Sequence, residues 1–139
     1  MKITDALLGE HGAIYPLLDF IESGEGDSAV KAALLRSALL SHAELEDRLL
    51  KPALLPYLPQ PTGAAPTDHE AIAAKLQGVL DACIEADART LLLDAVRDIR
   101  KHFRKEESVI FPLAEEELSE AEQRKLATEW SRRRGLRVS

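Results

Sequence analysis

The sequence predicts an all-α fold: an up-down-up-down four-helix bundle with an additional C-terminal helix. Three observations predict it. Aromatic residues make up 4% of the 139 residues, so leucine and alanine must build the core, and that composition favours helices. Apolar residues recur at spacings of three and four along most of the chain, and no strand-like alternation competes with them. A pattern also occurs twice: His42 to Pro52 and His102 to Pro112 both read His-x3-Glu-x5-Pro. Residues 1–117 are assigned to the bundle, and 118–139 to a C-terminal helix and tail packed on the same domain.

The first helix is expected from about Asp5 to Ser23, with Thr4 or Asp5 as its cap and Gly24 as its stop. Its stripe is Leu8, His11, Ile14/Tyr15, Leu18 and Ile21, and Pro16 should kink it locally. After the turn from Gly24 to Asp27, the second helix runs from about Ser28 to Lys51, with Leu35, Leu39, His42, Glu46 and Leu49 on its seam. Pro52, Pro56, Pro59, Pro61 and Pro66, with Gly63, mark the one long irregular connection. The third helix opens at Thr67, which has capping-box spacing to Glu70, and lines up His69, Ile72/Ala73, Leu76, Val79/Leu80 and Cys83. A break near Glu85 to Asp87 leads into the fourth helix, whose seam is Leu91, Ala95, Ile99, His102, Glu106, Ile110 and Leu113. Pro112, like Pro52, should kink or end its helix. The last helix starts at Ser119 with Glu122 in capping-box spacing and reaches about Arg134. Its narrow stripe (Leu126, Trp130) should pack outside the bundle; the alternative is a face for a second copy in a homodimer. The basic run from Ser131 to Arg134 reads as a solvated helix end.

All four histidines fall on these seams, one per helix, and the second and fourth helices each add a glutamate one turn on. His11, His42, Glu46, His69, His102 and Glu106 can therefore reach one layer of the bundle. A single seam histidine is more often a hydrogen-bonded core residue than a ligand. Six inward polar groups without strong partners are different, since each costs roughly 1–3 kcal/mol to bury. A domain stable by roughly 5–15 kcal/mol does not carry that load easily. Coordination to metal removes it. A mixture of imidazole and carboxylate suits iron, with manganese or zinc as lesser alternatives, and six ligands exceed what one tetrahedral zinc needs. Two central carboxylates can bridge two ions, with four imidazoles at the ends. A bridging oxo or hydroxo group completes that arrangement and leaves positions for solvent or a small ligand.

The set His11, His42-x3-Glu46, His69 and His102-x3-Glu106-Glu107, followed by Phe111-Pro112, resembles the hemerythrin-like (HHE cation-binding) family. The resemblance covers nearly the whole chain except the last helix. It implies a non-haem di-iron centre with His11, His42, His69 and His102 as iron ligands and Glu46 and Glu106 as bridging carboxylates. Two departures stand out. The oxygen carriers of this family have a His-x3-His pair on the third helix, where this chain has Ala73. They also place an aspartate five residues after the last histidine, where this chain has Glu107, while Glu106 at four matches Glu46 in the other half. A four-histidine set is closer to the di-iron domains of bacterial iron-centre repair proteins and related sensors, which weakens the expectation of reversible O₂ carriage. Tyr15, one turn after His11, either reaches the site or packs against the proline-rich loop.

The function expected is binding, sensing or reaction of a small ligand such as O₂, NO or H₂O₂ at vacant iron positions. The alternatives are iron storage, delivery or sensing without gas chemistry, and an interaction module held by a structural metal. No motif for an organic substrate is present, which leaves open only catalysis on such small molecules. A net charge of −6 weighs against a nucleic-acid partner. The absence of a long apolar run or a signal-peptide pattern gives a cytoplasmic expectation with no membrane partner. Cys83, the single cysteine, suits a reducing compartment and is expected in the core, about 21 Å along its helix from His69 and out of ligand reach.

Overall fold

A computed structural model of the chain describes residues 1–24, 26–59 and 67–136, and all the regular structure in them is helical. Five helical rods form it. The first is α1 (Ile3–Glu22). The second is α2 (Ser28–Leu45), continued by a π-helical turn (Glu46–Leu50), a single α turn α3 (Lys51–Leu54) and a 3₁₀ turn (Leu55–Tyr57). The third is α4 (Asp68–Asp81). The fourth is α5 (Glu85–Lys105), continued by a second π-helical turn (Glu106–Ile110) and α6 (Phe111–Glu117), and the fifth is α7 (Glu120–Arg133). Packing runs α1 to α2, α2 to α4, α4 to α5 and α5 back to α1, which is the up-down-up-down order.

Side-chain periodicity explains the core. Ile14, Leu18 and Ile21 of α1 meet Leu35 and Leu39 of α2, Leu76 of α4, and Leu92, Ile99 and Phe103 of α5 in one apolar cluster. A second cluster fills the other end, from Ile3 and Leu7 of α1 through Leu45, Leu50 and Leu54 to Phe111 and Leu118. His11, His42, Glu46 and Glu106 are buried between the two. The polar layer is therefore sandwiched along the bundle axis between two apolar clusters.

Several expectations need correction. The second helix does not end at Pro52, nor the fourth at Pro112. In each, the backbone widens into a π turn first: Lys51 N–H bonds to the Glu46 carbonyl and Phe111 N–H to the Glu106 carbonyl, five residues back. Proline cannot donate and its ring crowds the carbonyl four residues earlier, Arg48 or Ser108. A wider turn just ahead of the proline lets the rod continue. Residues 52–57 are accordingly helical rather than irregular, while the expected connection at 60–66 lies outside the described residues. α1 spans Ile3–Glu22 with Pro16 inside it.

Its N-cap is Lys2, whose backbone N–H donates to Asp5 Oδ2 at 3.1 Å, so Asp5 satisfies the helix end from inside. Thr4 is buried and bonds to Gln123 and Glu115 instead of capping. Leu7, not Leu8, is the buried residue of that turn. The break before α5 falls at residues 82–84, and Cys83 is exposed in it rather than in the core.

The α7 start agrees with its sequence signal: Glu122 N–H donates to Ser119 Oγ at 3.1 Å and Ser119 N–H to the Glu122 carboxylate at 3.4 Å. The helix packs along α1 and the first π turn, burying Gln123, Ala127 and Ser131. Arg134 at its end is not merely solvated, since it pairs with Glu10. No helix among the described residues is long and apolar enough to cross a membrane.

Candidate metal centre

One helix supplies each histidine, and all four rings turn Nε2 toward the bundle axis. His11 Nε2 lies 3.1 Å from His42 Nε2, and His69 Nε2 lies 2.9 Å from His102 Nε2. Glu46 lies between the pairs, with Oε2 3.1 Å from His42 Nε2 and Oε1 3.6 Å from His69 Nε2. Glu106 Oε1 is 3.3 Å from His11 Nε2 and 3.1 Å from His102 Nε2. Two groups result: His11, His42, Glu46 and Glu106, and Glu46, His69, His102 and Glu106, each with ligand atoms within 4.8 Å of one another. Both glutamates belong to both groups. All six residues singled out in the sequence are brought together.

The outer ring nitrogens fix the tautomers. His11 Nδ1 faces Glu107 at 2.9 Å, His42 Nδ1 faces Glu10 at 2.8 Å, His69 Nδ1 faces Asp47 at 3.1 Å, and His102 Nδ1 faces Asp68 at 2.9 Å. An ionised carboxylate only accepts, so each Nδ1 carries the proton and donates. Each Nε2 of a neutral ring is then a bare lone pair, and two bare lone pairs about 3 Å apart repel. Glu46 Oε2 and Glu106 Oε1 are also buried without a hydrogen-bond partner among the described residues, despite the nearby ring nitrogens. Such a set demands positive charge at its centre.

The titration tendencies of the metal-free cluster say the same. Burial pushes the Glu46 carboxyl up to about 8; His42 pulls against it and Glu106 adds to the rise. Burial works in the same direction on Glu106, but His102, His11 and Glu46 outweigh it and hold that carboxyl well below the usual range. Burial opposes charge on His42, yet Glu10 and Glu46 prevail and raise it to about 9. Protons are drawn in where a cation would serve better, and the residues present fit a metal pair.

The four outer carboxylates were not found from the sequence, and they had a readable signal. Each is the immediate neighbour in sequence of an inward residue: Glu10 of His11, Asp47 of Glu46, Asp68 of His69, and Glu107 of Glu106. Each serves the histidine of the next rod round the bundle, so the first rod holds the second, the second the third, the third the fourth and the fourth the first. Glu107 therefore stands outside His11 rather than between the pairs, where Glu106 is. Tyr15 reaches the site only at this outer layer, donating its hydroxyl to Glu107; burial and that carboxylate raise it to about 12. Phe103 was also missed. Its ring stacks on His11 with centroids 3.7 Å apart and 7° between planes, and so fixes the plane of that imidazole.

A helical bundle with paired His and Glu sets on facing helices defines a cation-binding protein of the carboxylate–histidine type. Residues 2–114 match the family described as Hemerythrin HHE cation binding domain, and the chain belongs to that family. A search of curated proteins and a search of solved structures returned no match.

Proposed function

We propose that this protein holds two non-haem iron ions and binds, senses or reacts with a small ligand such as O₂, NO or H₂O₂ at them. The observation that carries the reading is the pairing of four Nε2 atoms, two and two, about two glutamates common to both groups. Two imidazoles and two carboxylate oxygens per ion would leave an octahedral iron with open positions, whereas a tetrahedral zinc would be closed by them. When bound, such an ion pair supplies redox change and open positions for a small ligand. His11, His42, His69 and His102 would be the terminal ligands, and Glu46 and Glu106 would bridge.

The chain's own residues prepare that site. The outer carboxylates orient the rings and raise their basicity as ligands. Glu107 does so for His11 while accepting from Tyr15, so the tyrosine acts by positioning a carboxylate. The apolar clusters on either side lower the polarity around the carboxylates and favour a cation beside them.

Elemental analysis and absorption spectra of protein purified without air, taken before and after admitting air, test the reading. Iron as the bound metal, with a spectrum that changes in air and again with NO, is the expected result. Zinc with no such response would make the metal structural. Iron lost rapidly to a chelator, with no ligand response, would favour storage or delivery.

A further inference from the structure

Side by side, α1 and α2 present an outer face built from uncharged residues. On α1 it runs through Gly9, Gly12/Ala13, Pro16 and Phe20, and on α2 through Val30, Leu34, Ser37 and Ser41, at helical spacings of three and four. All of these are exposed, Phe20 by 53%, Val30 by 58% and Leu34 by 54%. The charged residues of the same stretches turn elsewhere. Glu10 reaches His42, Asp19 pairs with Arg100 on α5, Lys31 is buried, and Arg36 lines a small cavity with Ala73 and Leu76 of α4. The Lys31 ammonium lies 5.1 Å from the Phe20 ring centroid and supports that ring from beneath.

Two residues of this face have no reason to be there inside one chain. Glycine in a helix interior costs stability relative to alanine, and a Cβ added at Gly9 or Gly12 would meet nothing within 4 Å among the described residues. Packing within the chain therefore does not require glycine at either place. A helix of another molecule lying against α1 would, because the distance between packed helices is set by the side chains at their contact. The chain's own last helix does not take that place. Arg134 ties the end of α7 to Glu10 and Ser41, at the edge of the face.

We propose that this outer face of α1 and α2 docks on the same face of a second copy of the chain, about a two-fold axis. Charge selects the occupant. Each chain carries a net charge of −6, so two copies repel where their charged surfaces meet. A face of uncharged residues lets them approach without setting like charges together. A two-fold axis also makes the contact self-complementary: the room left by Gly9, Gly12 and Ala13 in one copy takes the apolar side chains of the other. Phe20 and Leu34 are the anchors. From Gly9 to Phe20 the face is about 17 Å long, and it is two helices wide. That is toward the small end of specific interfaces, so the dimer should have roughly micromolar affinity.

Sedimentation of the full chain, with its metal as purified, tests the contact over roughly 0.1–100 μM. Wild type should pass from monomer to dimer within that range. Phe20→Glu and Leu34→Glu should each raise the dissociation constant about a hundredfold or more, at unchanged helix content by circular dichroism. Ile84→Glu, at an exposed apolar residue in the break before α5, should leave dimerisation as it is. Gly12→Ala separates docking from folding: it should raise the melting temperature of the dilute monomer and weaken the dimer. A wild-type chain that stays monomeric throughout would overturn the proposal. So would a dimer that survives both glutamate variants, which would place the contact on another face, or a dimer that Gly12→Ala leaves unchanged or tightens.

Discussion

The Trp130 indole N–H donates to Glu10 Oε2 at 2.9 Å, and so ties the C-terminal helix to the candidate metal centre. The same oxygen accepts from Arg134 Nε at 2.7 Å, while Glu10 Oε1 accepts from His42 Nδ1 at 2.8 Å. One carboxylate thus holds a ligand imidazole and the end of α7. Burial opposes its charge, but His42, Arg134 and Trp130 outweigh that and bring Glu10 down to about 2.

Glu10→Gln should therefore act on both. It keeps the shape, removes the charge and turns an amide toward two donors. Metal affinity at the His11–His42 position should fall about tenfold or more, as for other partners that orient a ligand histidine. Trp130→Phe removes one hydrogen bond and should cost about 1–2 kcal/mol of stability with little change in metal content. Equilibrium denaturation and metal titration measure both effects. Equal, unchanged values in Glu10→Gln would show that Glu10 does not position His42.

The shared glutamates make a distinct prediction. His42→Ala removes one terminal ligand and should leave the His69–His102 position able to load. Glu46→Ala should weaken both positions together, since its two oxygens face His42 and His69. Metal content by elemental analysis distinguishes them: a Glu46→Ala protein that still binds as much metal as wild type would contradict a bridging role.

Pro52 and Pro112 lead to a third. Each follows a π turn that begins at a central glutamate. Pro112→Ala restores an N–H, so the backbone can return to the α-helical register and turn Phe111 away from His11. Metal should then be lost faster to a chelator, with no loss of helix content by circular dichroism. A release rate equal to wild type would mean that the π turn is set by something other than the proline.

Metal removal should destabilise the fold. Without a cation the closely spaced Nε2 pairs and the two buried carboxylates lack their counter-charge, and the apolar clusters on both sides supply none. Saturating iron(II) without air should raise Tm by about 5–10 °C over the metal-free protein, through preferential binding to the folded state. Identical melting curves would place the histidines outside any tight metal site.

Much of this was legible in the sequence because helical spacing is a strong signal. Spacings of three and four assigned the rods, and the same spacing put His11, His42, Glu46, His69, His102 and Glu106 on buried seams. Leu7 was mistaken for Leu8 because adjacent leucines give the periodicity no way to choose, and tertiary packing chose. Cys83 was extrapolated along a seam that α4 abandons two residues earlier. The outer carboxylates escaped because their partners are on other helices: Glu10 reads as an exposed neighbour of His11 until α2 is placed beside it. The π turns escaped because proline signals an interruption without saying whether the rod ends or widens.

A pair of metal positions joined by Glu46 and Glu106 should take up two ions per chain. Anaerobic titration of the metal-free chain with iron(II), followed by absorption and checked by elemental analysis, tests it most directly. Saturation at about two ions per chain is expected, as the two ligand groups require. Saturation at one ion per chain, or no saturable binding at all, would contradict it.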